Sequence, residues 1–418
     1  MLSSRAWRSL SILCVAFCVM TRAARGSGGP VEMALNPALP LESAVALGLH
    51  LSVNEAEWAP LSPAPGYDQR LRVTTGTRTF ALPEAAVVWR HRRWRFGAAF
   101  EPDLLGDTAW DLMALPPGYD DERDDAGVDW RSRVHAGRFM GSIGGELSGS
   151  VRAGASVFVE RWSAEIERVL STPSELAPPL SVLYTHFSSE GTGVGFGASL
   201  GIWARVHPHV TIGAAWRSRV RARWDAAAAA RTDVPAALQW SEGLPSEVEG
   251  SGAQAFERHS PAEIRIGGRY QPVRRGAMTL ELIRRDAGAI SASGAGEWLG
   301  GLTAELPAPD SDWRVDWRLA WIGAWSVEWD WGPARTWAGV VIDDVALTEP
   351  TPLFPQQSIS AAIRTGGSVR VGGAHRIEVD AVYWGERVRE EYVGLSGKSR
   401  FGARTIGVRW IWLLGGSG

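Results

Sequence analysis

The feature that most constrains this chain is an alternation of apolar and charged residues in a tryptophan-rich segment, Trp313–Trp331. One parity carries apolar residues, namely Trp313, Val315, Trp317, Leu319, Trp321, Trp325, Val327, Trp329 and Trp331. The other parity carries charged residues, namely Arg314, Asp316, Arg318 and Glu328. Successive side chains of a β-strand point to opposite faces, so this segment predicts a strand with one apolar and one charged face. A helix would scatter the same residues around its circumference.

The same alternation recurs along most of the chain and predicts an all-β fold. The candidate strands, fourteen in number, are 43–53, 78–90, 93–101, 131–146, 149–163, 191–205, 209–224, 261–271, 276–286, 312–327, 334–343, 356–366, 373–387 and 400–413. Short turns join many of them. Longer segments rich in Pro, Asp and Ser separate the resulting hairpins, namely 54–72, 102–130, 164–190, 225–258, 287–311 and 344–355.

The apolar face could pack into a soluble core or face lipid. A sandwich or propeller would use it as a core, but the chain has 22 Trp against 11 Phe and 6 Tyr, and a core of mostly Trp is hard to pack. The opposite face is rich in arginine, which suits the lumen of a transmembrane barrel. In lipid the sheet must close, because an open edge would leave backbone groups without hydrogen bonds. We therefore predict a transmembrane antiparallel β-barrel of about 14 strands over residues 43–414.

The N-terminus predicts export. Arg5 and Arg8 precede an apolar run, Leu10–Met20, as in a secretory signal peptide, which we place at residues 1–25. The run is short for a membrane-spanning helix. Both cysteines, Cys14 and Cys18, fall inside it, so we expect no disulfide and no cysteine-ligated metal in the processed chain. The net charge of −3 gives no electrostatic reason to bind nucleic acid.

Several segments resemble the FadL-type outer-membrane transporters of long-chain fatty acids and aromatic hydrocarbons. Asn36, Pro37 and Ala38 match the Asn-Pro-Ala motif of that family's N-terminal hatch, the segment that closes its barrel. The segment from Leu82 to Phe100 looks like the family's early hairpin, and Gly193–Trp224 is similar to its glycine-rich strand, turn and following strand. The segment 26–42, which we assign to a short N-terminal hatch, is shorter than usual in the family.

The resemblance implies passive transport of hydrophobic compounds, in particular long-chain fatty acids or related lipids, across the outer membrane of a Gram-negative cell. It implies capture of the ligand by apolar extracellular loops, movement to an internal pocket, and release after a hatch or wall rearrangement. No cofactor is needed. The expected partners are the hydrophobic ligand, outer-membrane lipid and the outer-membrane assembly machinery, and the barrel is expected to be a monomer.

Three groups of residues are candidates for function. Asn36, Pro37 and Ala38 would form the hatch. An apolar entry loop would contain Leu104, Leu105, Trp110, Leu112 and Met113. Candidate lumen or ligand contacts are Arg217, Arg219, Arg265, Arg314 and Arg318. These arginines either form an ion-pair network that fills the lumen or bind a ligand carboxylate through paired hydrogen bonds.

Other functions have weaker support in the sequence. An outer-membrane hydrolase would need a serine activated by histidine. His50 and Ser52 lie close together in the sequence, but such pairs are common, so we expect no enzyme and interpret both as lumen-lining residues. The acidic cluster Asp120–Asp125 lacks the spacing of a calcium loop, and His207 and His209 fit a short turn, so no metal is expected. A general or ion-selective pore and a structural or adhesive barrel remain as alternatives.

Overall fold

The chain folds into one closed antiparallel sheet in the computed structural model, which describes residues 38, 43–60, 73–74, 78–110, 130–173, 182–234, 239–240, 245–294, 312–344, 360–389 and 397–414. The strands are β1 (Ala44–Pro60), β2 (Val73–Thr74), β3 (Arg78–His91), β4 (Trp94–Trp110), β5 (Trp130–Ser148), β6 (Val151–Pro173), β7 (Val182–His207), β8 (Val210–Arg217), β9 (Val220–Asp233), β10 (Glu247–Ser260), β11 (Glu263–Val273), β12 (Gly276–Arg285), β13 (Gly288–Ser293), β14 (Trp313–Trp317), β15 (Ala320–Asp330), β16 (Ala334–Asp343), β17 (Ser360–Val371), β18 (His375–Arg389) and β19 (Gly397–Leu413). Within these ranges no helix is long and apolar enough to cross a membrane.

The first and last long strands close the barrel. β1 pairs with β19 along its whole length, from Ala44 opposite Leu413 to Pro60 opposite Gly397, and it pairs with β3 on its other side. Four strands are interrupted, and their parts are β8 with β9, β10 with β11, β12 with β13, and β14 with β15. When each of these is counted as one strand and the short β2 is set aside, the barrel has 14 strands. This confirms the predicted architecture.

The outer face of the barrel carries a continuous apolar band. Along β1, Leu47, Leu49 and Leu51 are exposed while the intervening Ala46, His50 and Ser52 are buried. The same alternation holds on the other strands, and exposed aromatic residues lie near the short turns, namely Trp89, Trp94, Tyr270, Trp329, Trp331, Trp410 and Trp412. An apolar band edged by aromatic residues is what a lipid-facing barrel wall requires.

The alternation reverses at the four interruptions. They fall at Ser218–Arg219, Pro261–Ala262, Asp286–Ala287 and Arg318–Leu319. They also lie side by side, because Arg217 pairs with Glu263, Glu263 with Arg285, and Arg285 with Ala320. We call this row the break line. Each interruption shifts the side-chain alternation by one residue, as a β-bulge does, so the face that pointed outward on one side points inward on the other.

The reversal corrects the prediction that Trp313–Trp331 presents one uninterrupted apolar face. Val315 and Trp317 are buried, whereas Trp321 and Trp325 are exposed, although all four have the same parity in the sequence. A second prediction is also wrong in part, since the lumen is not polar throughout. Above the break line, on the side away from the short turns, and just below it at Ile283 and Ile322, inward side chains form an apolar core. Its larger members are Val134, Trp162, Ile166, Trp224, Phe256, Ile283, Ile290, Val315, Trp317, Ile322, Val341, Val382 and Trp384.

Several strands also extend farther than predicted. β6 and β7 contain 23 and 26 residues, so they occupy much of the segment 164–190 that was expected to be a loop. β4 continues to Trp110, β9 to Asp233, and β10 starts at Glu247. The ladders between these extensions continue the barrel wall beyond the apolar band. The sequence did not predict the extensions, because the alternation of apolar and polar residues on the outer face stops there.

The glycine row of β7 allows β9 to approach the interior. A Cβ atom placed on Gly191 would lie 2.9 Å from the Cα atom of Ala226, and one on Gly193 would overlap the Trp224 ring. A Cβ on Gly195 would lie 3.0 Å from the carbonyl oxygen of Arg221. Side chains at these inward positions of β7 are therefore excluded by β9, which lies displaced toward the lumen.

Adding a methyl group at Gly193 is expected to destabilise the barrel by about 1 to 3 kcal/mol, because Trp224 would have to move within a packed core. Gly141→Ala is the matched control, since a Cβ at Gly141 meets nothing within 4 Å. The measurement is urea unfolding of each refolded variant in detergent micelles, followed by tryptophan fluorescence. Equal unfolding midpoints for Gly193→Ala and Gly141→Ala would contradict this account of the glycine row.

Candidate functional site: an apolar opening in the barrel wall

The wall of the barrel is incomplete between β3 and β4. The two strands pair from His91 opposite Trp94 up to Ala85 opposite Phe100, and the described ladder ends there. Beyond this point β3 continues to pair with β1, and β4 continues to pair with β5. Pro83 and Pro102 lie just past the last pair, and proline cannot donate a ladder hydrogen bond. The two strands therefore separate at the level of the prolines.

An apolar cavity of about 800 Å³, wide open to the surface, lies directly at the end of this ladder. Its lining comes from six strands and consists only of apolar residues and glycine, namely Val45, Ala46, Leu47, Ala85, Ala86, Val87, Ala98, Ala99, Phe100, Phe139, Met140, Gly141, Val157, Phe158, Val159, Phe196 and Gly197. Both faces of the wall contribute. Phe139 and Phe196 are exposed on the outer side, whereas Met140 and Phe158 belong to a buried cluster with Val220.

A buried ionic network lines the inner wall beside the opening. Arg409 of β19 donates hydrogen bonds from Nε to Glu84 at 2.5 Å and from Nη1 to Glu378 at 2.8 Å. His50 Nε2 lies 3.3 Å from the same Glu84 oxygen. Gly48 stands between Glu84 and Arg409 in the register, and a side chain there would overlap Glu84. The glycine thus lets ionic partners meet across an intervening strand.

A second buried network lies on the break line and is centred on Glu263. Its carboxylate accepts hydrogen bonds from Arg285 Nε at 2.8 Å and from Arg265 Nη2 at 3.1 Å, and Arg217 Nη2 lies 2.7 Å away. Glu263 is buried, so its charge depends on these three guanidinium groups rather than on water. A carboxylate oxygen of Glu281 lies 3.6 Å from Arg265 Nη1. The cluster joins β8, β11 and β12 on the inner wall.

The five candidate arginines do not share one environment. Arg217 and Arg265 face inward and belong to the Glu263 network. Arg219, Arg314 and Arg318 are exposed on the opposite face from buried Val220, Val315 and Trp317, so their expected lumen position is wrong. The interruptions of the strands account for the difference, because a one-residue shift moves these arginines outward. Arg314 pairs with Asp316, and Arg318 with Asp344.

The other candidates fall partly outside the described residues. Leu104, Leu105 and Trp110 lie on the extension of β4 rather than in a loop, and Leu112 and Met113 are outside the described residues. Asn36 and Pro37 are also outside them, as are the expected signal peptide and the rest of the hatch segment, whereas Ala38 is described and buried. Among the residues that can be placed, no group of three or more His, Cys, Asp or Glu could hold a metal ion.

Glu84, Arg409 and Glu263 were not predicted from the sequence to belong to buried networks. Glu263 lies two residues after Pro261, where the strand is interrupted. A proline inside a predicted strand indicates such an interruption, so Pro261 was the available signal in the sequence. Pro83 and Pro102 were equally visible. They weaken the β3–β4 ladder because they lie opposite each other on the two strands. Only the register of the strands shows this, and neither segment reveals it alone.

Comparison with solved structures yields close likenesses in fold. The Pseudomonas putida toluene transporter TodX superposes with a TM-score of 0.68 at 14% identity, covering 96% of this chain and 99% of that one. A Pseudomonas aeruginosa FadL homologue gives 0.68 at 14% identity, with coverage of 97% and 99%. The Ralstonia pickettii toluene transporter TbuX gives 0.64 at 16% identity, with coverage of 96% and 98%.

The chain has the fold of these outer-membrane channels. The likeness extends over almost the full length of each chain. No protein-family model matches the sequence, and no curated protein matches it.

Removal of the Glu263 carboxylate is expected to destabilise the barrel by about 3 to 5 kcal/mol, because three arginines would lose their shared buried counter-charge. Glu165→Ala is the matched control, since it removes one partner of the half-exposed Arg133–Glu165 ion pair and should cost about 0 to 1 kcal/mol. Urea unfolding in detergent micelles measures both variants. A loss for Glu263→Ala no larger than that for Glu165→Ala would contradict the role assigned to Glu263.

Proposed function

We propose that this protein transports hydrophobic compounds passively across the outer membrane, and that the apolar opening between β3 and β4 is part of their route. The observation that carries the proposal is the cavity of about 800 Å³, whose lining holds no polar side chain and which adjoins the end of a strand ladder. Such a lining favours a ligand whose surface is itself apolar. No covalent chemistry is required of the protein.

The interior supports a lateral rather than an axial route. Trp162, Trp224, Phe256 and Trp317 lie in the core above the break line, and Trp224 and Phe256 stack with ring centroids 5.4 Å apart. Ionic networks occupy the inner wall around Glu84 and Glu263. A hydrophobic ligand would cross these regions poorly along the barrel axis, whereas the opening presents apolar residues from the exposed face to the buried cluster.

We further propose long-chain fatty acids or related lipids as the ligand class, with monoaromatic hydrocarbons as the nearest alternative. TodX and TbuX are toluene transporters, and CymD, a further protein of similar fold, is a monoaromatic hydrocarbon channel. A cavity of about 800 Å³ can hold a folded alkyl chain as well as a small aromatic ring. The proposal includes removal of the N-terminal signal peptide, a hatch that contains Ala38, and a monomeric barrel.

Filling the opening should lower uptake. Ala98 faces outward in the cavity lining, so the ring of Ala98→Trp would occupy space that the ligand needs. Uptake should fall by about tenfold or more, which corresponds to a free-energy barrier to passage that is higher by about 1.4 kcal/mol. The measurement is uptake of radiolabelled oleate and of toluene by a Gram-negative host that lacks its own transporter and expresses the full chain.

The matched control is Ala338→Trp, which places the same ring on an exposed, outward position of β16 away from the cavity. Insertion of each variant is checked by the mobility shift of the folded barrel on unheated gels. Uptake of neither compound by the unsubstituted chain, despite correct insertion, would refute the proposed function. Uptake that Ala98→Trp leaves unchanged would refute the route through the opening.

A further inference from the structure

Three outward arginines occupy alternate positions at the start of β9, the first of them just before the strand begins. Arg219, Arg221 and Arg223 are exposed, and they alternate with Val220, Ala222 and Trp224, which are buried in the interior. Arg217 and Arg219 were both predicted to face the lumen. Since the interruption after Arg217 reverses the alternation, only Arg217 remains inside. The other arginines form a cationic patch on the surface that faces the membrane and its headgroups.

The patch lies at the edge of the apolar band. Below the break line the nearest outward residues on β8, β11 and β15 are apolar, namely Trp216, Ile264 and Trp321, whereas β12 places Arg284 there, followed by the apolar Leu282. Above it the outward residues are charged, beginning with Arg219, His259, Asp286 and Arg318. This change from apolar to charged side chains on adjacent strands marks the boundary between acyl chains and headgroups. Arg219, Arg221 and Arg223 therefore lie at headgroup level.

A recess in the wall accompanies the patch. β7 pairs with β9 only up to Glu190 opposite Ala227, and with β8 only from Ser199 opposite Arg217, so the ladder is interrupted over residues 191–198. β9 lies displaced inward along this stretch, as the contacts of Gly191 and Gly195 require. The outward side chains of β7 at this edge include Val194 and Phe196, and Phe196 is 72% exposed. The recess thus combines an apolar edge with a cationic side.

The positive charge of the patch is only partly compensated. Arg221 Nε donates a hydrogen bond to Glu257, which also lies 3.1 Å from His259 Nε2. Arg219 and Arg223 form no ion pair with any side chain in the described ranges. Asp225 and Glu190 are exposed at the upper edge, and neither pairs with these arginines.

Arg161 of β6 adds to the patch from the other side of β7. It is exposed, lies opposite Val194 in the β6–β7 register, and likewise has no ion pair within the described part of the chain. Other exposed arginines near this level do have a carboxylate, as Arg314 has Asp316 and Arg318 has Asp344. Among the described residues at this level of the barrel, Arg161, Arg219 and Arg223 are exposed, have no carboxylate partner and border the recess.

We propose that this recess binds the phosphate headgroup of an anionic lipid in the leaflet on that side of the membrane. Arg219 and Arg223 would hold the phosphate oxygens, and the acyl chains would lie against Val194, Phe196 and Leu200. Guanidinium groups bind phosphate through paired, charge-assisted hydrogen bonds and are weakly hydrated, which suits the edge of a bilayer. The site lies on the lipid-facing surface of the folded barrel and does not depend on transport.

The test is lipid retention by the purified full chain in detergent, measured by native mass spectrometry with lipid A, a bisphosphorylated lipid, as the probe. Arg219→Gln/Arg223→Gln should lower the affinity for lipid A by about tenfold or more, because two charge-assisted contacts are lost. Arg314→Gln/Arg318→Gln is the matched control, since it removes two exposed arginines that have their own carboxylates. The single variant Arg223→Gln gives a smaller loss in the same direction and serves if the double variant does not fold.

Three further probes identify what the recess recognises. Phosphatidylcholine, which has no net charge, should bind equally to all variants, and inorganic phosphate should not displace lipid A at millimolar concentration. The proposal would be overturned if Arg219→Gln/Arg223→Gln retained as much lipid A as the unsubstituted chain. It would also be overturned if the control Arg314→Gln/Arg318→Gln lost as much lipid A as Arg219→Gln/Arg223→Gln. The proposal would also be overturned if the double variant lost binding of palmitate but retained lipid A. The arginines would then bind the carboxylate of a fatty acid rather than a phosphate.

Discussion

The structure depends on the requirement that every backbone donor and acceptor in the lipid region find a partner within the sheet. The pairing of β1 with β19 over its full length meets this requirement by closing the barrel. Two ladders in the described part of the barrel are nevertheless interrupted. One lies between β3 and β4, where prolines reduce the number of donors, and the other lies between β7 and β9, where glycines admit the neighbouring strand. Each interruption creates a surface feature that a regular barrel would not have.

The break line divides the barrel into two parts that differ in which face of the wall is apolar. Below it the outward side chains of the interrupted strands are mainly apolar, and the inward face carries the Glu263 network. Above it the outward side chains of these strands are mainly charged, and the inward face becomes a packed apolar core around Trp162 and Phe256. A one-residue shift in four adjacent strands achieves this exchange without breaking the sheet, because the shifts occur at paired positions such as Arg217, Glu263 and Arg285.

Much of the fold could be predicted from the sequence, because the period-two alternation persists through each lipid-facing segment. The number of strands and the closed antiparallel architecture followed from it. The direction of Arg314 and Trp317 could not be predicted, since alternation fixes which residues share a face but not where a bulge reverses it. Likewise Glu84 and Arg409 are 325 positions apart, and only the closure of β1 on β19 brings them together. The role of Asn36 and Pro37 in a hatch stays a prediction.

The central claim is that this barrel has an apolar lateral route and a filled interior rather than a water-filled channel. The most direct measurement is the single-channel conductance of the purified full chain in a planar bilayer in molar potassium chloride, with a general porin as the positive control. The account predicts no steady conductance from preparations whose folding is verified on unheated gels. Stable ohmic channels in each insertion event would contradict it, because ions would then have a continuous aqueous path through the core around Trp162, Phe256 and Trp317.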